Sequence, residues 1–325
     1  MTAALPYLDL NSYLRRLHGE RVQKITLDAG LTCPNRDGTL GRGGCLYCNP
    51  RGSGTGAWGQ GLSITQQMEQ GLARLRQRYG AKKFIAYFQS FTNTYAPVEQ
   101  LEGLYREALA FPGVVGLSIG TRPDCLSDAV LDLLAELKKD YLVWLELGLQ
   151  SAHDATLQRI NRGHDVACFT AAVAQAAVRG LETVAHVILG LPGEGPGEIA
   201  ATASLLAGLP LQGVKIHLLY VTRDSALASF YREGAYRPLS EREYVTAVVD
   251  FLELLPPNLI IHRLTGDPHP GELLAPEWCV AKSRVLNLIK AEFARRGSRQ
   301  GARWRQEGQA SALEKPHLLP SDEVK

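Results

Sequence analysis

The sequence predicts an α/β fold, a parallel sheet with helices on its outside, followed by a helix-rich C-terminal extension. Three observations carry this. From Gln23 onward, short β-rich runs alternate with helical stretches six times. The runs are mostly continuous apolar segments, as expected of strands buried on both faces. The stretches between them repeat apolar residues at helical spacing, which places helices against the sheet. Right-handed crossovers follow. Six units are too few for an eight-fold barrel, so the choice lies between an open partial barrel and a flat doubly wound sheet, which periodicity does not separate. In both, active groups belong at the C-terminal ends of the strands.

In order, the predicted strands are "QKITLDA" (23–29), "KFIAYFQ" (83–89), "VVGLSIGT" (114–121), "LVWLELGLQ" (142–150), "ETVAHVILG" (182–190) and "GVKIHLLYV" (213–221). The helices between them span 64–79, 98–110, 127–140, 166–180 and 197–208. Past about residue 223 the rhythm changes. Helical segments are expected at 240–256 and 275–296, with a short strand, "LIIHRL" (259–264), between them. The division is therefore an N-terminal segment (1–22), a core (23–222), an extension (223–299) and a polar tail (300–325) expected to fray.

With 325 residues, 45% of them hydrophobic, the chain can bury a large core, and a formal charge of +2 selects no partner. No apolar run reaches eighteen residues, and "MTAALPYLDLNSYLRRLHGE" reads as neither signal nor transit peptide. The expectation is a cytoplasmic protein without a membrane partner, in which clustered cysteines are metal or redox groups. Charge is uneven. Lys282 to Arg305 holds eight basic residues against Glu292 alone, a net +7 that leaves −5 for the rest. A basic tail on an acidic body hints at a polyanionic partner.

The cysteines of "TCPNRDGTLGRGGCLYCN" (32–49) carry the sharpest signal. Cys33 follows the first strand, and Cys45 and Cys48 stand two apart. Seven glycines between Cys33 and Trp58 (Gly38, Gly41, Gly43, Gly44, Gly52, Gly54 and Gly56) let this loop wrap a compact object and aim N–H groups inward. A structural zinc site would want four ligands, usually as two local pairs, and the second pair is missing. Three thiolates with one open position suit an iron–sulfur cluster better. Cys125, Cys168 and Cys279 are scattered singly, and Cys279 reads as an ordinary buried cysteine.

"CPNRDGTLGRGGCLYCN" resembles the cysteine motif of radical S-adenosylmethionine (SAM) enzymes, in the Elongator-catalytic-subunit-like branch and its bacterial YhcC/YtqA-type subgroup. The spacing of eleven then two departs from the commonest three then two. The resemblance covers about Tyr7 to Arg299 and implies a partial (β/α)6 TIM-like barrel with a C-terminal α-rich extension. It also implies a [4Fe-4S] cluster on Cys33, Cys45 and Cys48, with SAM chelating the unique iron and being cleaved to a 5′-deoxyadenosyl radical. A reducing donor such as flavodoxin or ferredoxin is implied too. Elongator-like relatives act on wobble uridines of tRNA, so tRNA is the implied partner. Arg295, Arg296, Arg299, Arg303 and Arg305 would hold phosphates and Trp304 would stack. A solvated helix end is the plainer reading of that tail. A small-molecule or peptide substrate is the alternative, and a zinc-stabilised binding protein the remaining one.

Later strand ends supply candidates for SAM and substrate. "YFQSFTNTY" offers Gln89, Thr92, Asn93 and Thr94, of which Gln89, Asn93 and Thr94 are assigned to the cofactor by resemblance. "GTRPDCL" offers Arg122 and Asp124, which also suit a plain ion pair. In "LVWLELGLQS", Glu146, Gly148 and Gln150 share a face, so Glu146 and Gln150 line the interior and contact SAM by resemblance; a buried structural ion pair at Glu146 competes. In "INRGHD", Arg162 suits the SAM carboxylate, and His164 beside it is a proton donor or hydrogen-bonded scaffolding. "GVKIHLLYV" turns Lys215 and His217 inward, and "HRLTGD" adds Arg263 and Asp267 as substrate candidates.

Overall fold

The computed structural model describes residues 5–305 except Ser53 and Pro270. Among the described residues there are nine strands: β1 Val22–Leu27, β2 Lys83–Phe88, β3 Val114–Thr121, β4 Leu142–Gln150, β5 Glu182–Leu189, β6 Gly213–Leu218, β7 Val221–Thr222, β8 Ile260–Arg263 and β9 Leu273–Ala275. The helices of the N-terminal half are α1 Leu10–His18, α2 Pro34–Asp37, α3 Ile64–Tyr79, α4 Val98–Leu109, α5 Asp128–Leu137 and α6 Asp154–Arg159. Those that follow are α7 Val166–Val178, α8 Pro196–Ala207, α9 Leu227–Arg232, α10 Glu241–Leu254 and α11 Lys282–Arg296.

One sheet of seven strands runs β1-β2-β3-β4-β5-β6-β8, every pair parallel. The seventh strand comes from the C-terminal extension. "LIIHRL" pairs with β6 through Gly213–Ile260 and Val214–Ile261 and so lengthens the sheet. A parallel sheet that does not close leaves its last edge unpaired, and β8 covers it.

The sheet curls. Flat neighbours lie ~4.8 Å apart, so β1 and β4 would be separated by ~14 Å. Yet Lys24 on β1 places its Nζ 2.7 Å from Glu146 Oε1 on β4. Side chains of strands that are not neighbours meet across a concave face, which makes this a partial barrel.

Alternation along each strand sorts the layers. On β4, Leu145, Leu147 and Leu149 are fully buried in the main core under the helices, while Glu146, Gly148 and Gln150 face the concavity. Val22, Ile85, Trp144 and Val184 form an apolar plug at the barrel bottom, closed by Leu14 of α1. Above the plug the interior is polar. Serine and aspartate caps fix the helix starts, as Ser63 does for α3 with Gln66 completing a capping box.

The helix expected over 275–296 begins only at Lys282. Ala275 is instead paired with Val221 in the small antiparallel β7–β9 ribbon, and Glu277–Val280 is a 3-10 turn. That ribbon also takes Val221 out of the sixth strand. Most of the polar tail expected from residue 300 lies outside the described residues. Gln300 is buried, accepting from Leu8 N at 3.0 Å and donating to Leu259 O at 2.8 Å.

Candidate active site

The concave face encloses a cavity of about 410 Å³, within the ~300–1,000 Å³ usual for cofactor-sized sites. Cys33, Cys45 and Cys48 all line it. Cys33 directly precedes α2, whose first residue is Pro34, preset for a helix start. Cys45 and Cys48 sit on one turn, Cys48 N donating to Cys45 O at 2.9 Å.

The loop is held from the far side of the barrel by residues 160–162. Leu46 N donates to Ile160 O at 2.9 Å, and Asn161 Nδ2 to Gly44 O at 2.8 Å. Arg162 bridges the two regions, donating to Gly148 O at 2.8 Å and pointing Nη1 at Cys45 Sγ, 3.6 Å away. Asn35 Nδ2 lies 3.7 Å from the same sulfur. Burial raises the Cys45 thiol, but Arg162 and Arg122 outweigh it and bring it below its ordinary value. Burial raises Cys48, against the opposing pull of Arg36.

Gly148 makes the Arg162 contact sterically possible. A Cβ there would lie 2.5 Å from Arg162 Nη2 and 2.6 Å from the Gln150 amide nitrogen. Arg122 completes this wall with a two-point pair to Asp124 at 2.8 and 2.6 Å, and with a bond to Arg162 O at 2.8 Å.

Deeper in, Glu146 is fully buried and saturated. Its Oε1 accepts from Lys24 Nζ at 2.7 Å and from Ser118; its Oε2 accepts from His186 Nε2 at 2.7 Å and from Lys215. Lys215 also donates to the Tyr87 hydroxyl at 3.0 Å. Burial alone would raise the Glu146 carboxyl, yet Lys215, Lys24 and His186 hold it well below its ordinary range. Burial pushes Lys215 down to about 7, while Glu146 holds its proton.

The expected site residues therefore separate into those at the cavity and those behind it. Cys33, Cys45, Cys48, Gln89, Arg122, Glu146, Gln150, Arg162, His217, Arg263 and Asp267 line the cavity. Asn93 and Thr94, expected at the cofactor, do not. Asn93 Nδ2 donates to Gly120 O at 2.8 Å, and the Thr94 hydroxyl sits 2.6 Å from both Thr121 Oγ1 and Cys125 O, so both stitch strand ends together. Asp124 and Lys215 act behind the wall, through Arg122 and Glu146. Burial and the Arg162 charge lower His164 to about 3, so it is neutral scaffolding, 3.1 Å from Gly148 O. Sequence reasoning missed Thr26, Arg36, Tyr47, Arg51, Tyr87, His186 and Glu272, which also line the cavity. Strand alternation was the available signal for Thr26, Tyr87 and His186.

The basic tail is partly paired within the fold. Arg296 pairs with Asp250 at 2.6 Å, Glu253 at 3.4 Å and Glu292 at 2.7 Å; Arg295 holds Glu292 at 2.8 Å; Arg303 lies 3.6 Å from Glu253. Acids of α10 and α11 neutralise much of the charge that the count assigned to phosphates. Arg299 and Arg305 are exposed.

Residues 33–206 match the Radical SAM superfamily, and residues 211–295 the Radical_SAM C-terminal domain. The chain belongs to the radical SAM superfamily. It is 42% identical over 307 residues to YtqA of Bacillus subtilis, covering 94% of this chain and 95% of that protein. It is 41% identical over 310 residues to YhcC of Escherichia coli, covering 95% and 96%. The structure of the archaeal Methanocaldococcus infernus Elp3 with its N-terminus deleted shares the fold, with a TM-score of 0.66 at 17% identity over 86% of this chain and 64% of that one. The chain thus falls in the YhcC/YtqA subgroup of the superfamily.

As a radical SAM protein it uses a [4Fe-4S] cluster and SAM. The residues present fit both. Among the described residues, no three His, Cys, Asp or Glu side chains are gathered closely enough to hold a single metal ion. A cluster asks something else of its cysteines, because each thiolate takes its own iron. Guanidiniums of Arg36, Arg122 and Arg162 on the same cavity supply positive charge for an anionic cluster and a carboxylate. No described helix is long and apolar enough to cross a membrane.

Proposed function

We propose that Cys33, Cys45 and Cys48 ligate the cluster, that Arg162 and Gln150 orient SAM beside it, and that the substrate is a tRNA wobble uridine. The observation that carries the cofactor assignment is the convergence of three thiols and Arg162 on one cavity. When bound and reduced, the cluster supplies the electron that cleaves SAM to methionine and a 5′-deoxyadenosyl radical. The chain's own residues fix the thiolates, hold the cofactor's charged groups and exclude water from a chamber walled by buried strands. A flavodoxin- or ferredoxin-type donor is the partner this chemistry requires.

The tRNA assignment is supported by the Elongator-like relatives, including a 32% match over 158 residues to Elongator complex protein 3 of Saccharomyces cerevisiae that spans 28% of that protein. The paired arginines of α11 favour a second reading, a small molecule or peptide substrate. Anaerobic incubation of the reduced holoenzyme with SAM and tRNA from cells lacking the gene separates the two. A changed wobble nucleoside in the digest, with 5′-deoxyadenosine rising on tRNA addition, supports tRNA. SAM cleavage with every nucleoside unchanged supports the smaller substrate.

A further inference from the structure

We propose that Arg263 of β8, oriented by His217 of β6, forms an oxyanion site at the cavity floor that holds a carboxylate or phosphate group of the substrate. This rests on the reading that the cavity is the substrate chamber, and adds the chemistry that its inner end recognises.

The first argument is charge. Lys24, Lys215 and Arg263 face one buried carboxylate, Glu146. Even with Lys215 neutral, Lys24 alone balances Glu146, and the guanidinium charge is left over. Glu146 cannot turn to Arg263, because Ser118 and Lys24 occupy one of its oxygens and His186 and Lys215 the other. Two further carboxylates line the cavity, and both are engaged elsewhere. Asp267 pairs with Lys282 at 3.3 Å, and Glu272 takes Arg51 and Asn49. Among the described residues, no carboxylate or carbonyl accepts from Arg263.

The second argument is hydrogen-bond capacity. The polar contact Arg263 makes is Nη1 to His217 Nε2, at 3.4 Å. A guanidinium has five donors and no acceptor, so His217 Nε2 must be the acceptor and its proton sits on Nδ1. Burial, with the charge of Arg263 adding, keeps this imidazole neutral well below its ordinary titration range. The result is a fork of spare guanidinium N–H groups on a partly buried wall, for which the described residues offer no acceptor besides His217 Nε2. A planar two-oxygen anion matches such a fork. Both residues line the cavity, so an anion arriving with the substrate can take the place of water on these donors.

The test uses the reconstituted holoenzyme, with saturating SAM present and absent. Trifluoroacetate, followed by fluorine NMR, probes a carboxylate, and methylphosphonate, followed by phosphorus NMR, probes a phosphate. The proposal expects saturable binding of one probe with SAM present, weakened about tenfold or more in Arg263→Gln and less in Arg263→Lys, which keeps the charge and loses the fork. Whichever probe binds tighter names the group. Iron content and the urea midpoint show that the variants are folded. Binding that SAM abolishes would assign the site to the cofactor's own carboxylate and overturn the proposal, as would equal binding by Arg263→Gln or none by wild type. Deoxyadenosine formation in the same preparation tests the cofactor reading separately, so failure of one does not pass for failure of the other.

Discussion

The guanidinium of Arg162 stands 3.6 Å from the Cys45 sulfur while holding the Gly148 carbonyl at 2.8 Å. One side chain thus ties the end of β4 to the cysteine loop and keeps one thiol below its ordinary pKa despite burial. Losing a charge-assisted hydrogen bond of ~1.5–3 kcal/mol should leave the cluster held roughly ten- to a hundredfold less well. Arg162→Gln is expected to release iron to a chelator about that much faster, under conditions where wild type retains it. Equal release rates would contradict this role.

Gly148→Ala is expected to act through the same contact. Its Cβ would meet Arg162 Nη2 at 2.5 Å and force one of the two to move. The cost should be ~1–3 kcal/mol in urea unfolding, as for an overpacked interior, together with iron loss resembling that of Arg162→Gln. A variant of wild-type stability and iron content would show that the strand end is slack.

The network around Glu146 predicts large losses from small changes. Glu146→Gln removes the charge that buried Lys215, half-buried Lys24 and His186 share, which should cost ~3–5 kcal/mol in urea unfolding. The folded carboxyl lies well below its ordinary 4.5, with burial outweighed by Lys215 and Lys24. Its contribution is therefore complete above that pH and is lost as acid drives the pH down toward the folded value. The stability difference between wild type and Glu146→Gln should shrink on that descent. A difference independent of pH would contradict an ionised Glu146.

The C-terminal arginines make opposite predictions. Arg296→Ala breaks contacts to Asp250, Glu253 and Glu292 from a mostly buried position and should cost ~1.5–3 kcal/mol. Arg299→Ala, on the exposed end, should stay within ~0.5 kcal/mol. If Arg296 contacted tRNA phosphates instead, its loss would flatten the salt dependence of tRNA binding by about one ion. The slope is expected to stay unchanged.

The sheet and the cysteine loop were legible because both are local. Apolar runs with helical stretches between them mark βα units, and Cys33, Cys45 and Cys48 lie within one turn-rich segment. Strand alternation also put Glu146, Gly148 and Gln150 on the inner face. What Glu146 touches was not legible, because Lys24 lies 122 residues away and reaches it only through the curl of the sheet. For the same reason "LIIHRL" was recognised as a strand but not as the seventh of the barrel. The arginine count was incomplete in a different way. It registered the cations of α11 but not Asp250 and Glu253 on the helix packed beside it. Asn93 and Thr94 read as ligands because strand ends are polar, yet the Asn93 amide N–H and the Thr94 hydroxyl are engaged by groups at the neighbouring strand end, away from the cavity lining.

The most direct test measures iron, sulfide and 5′-deoxyadenosine on anaerobically reconstituted, dithionite-reduced protein given SAM. Wild type and alanine variants at each of the six cysteines are compared. The account predicts about four iron and four sulfide per chain with deoxyadenosine formed in wild type. It predicts loss of both in Cys33→Ala, Cys45→Ala and Cys48→Ala, and retention of both in Cys125→Ala, Cys168→Ala and Cys279→Ala. A full cluster in any of the first three variants, or a full cluster in wild type that leaves SAM intact, would contradict it.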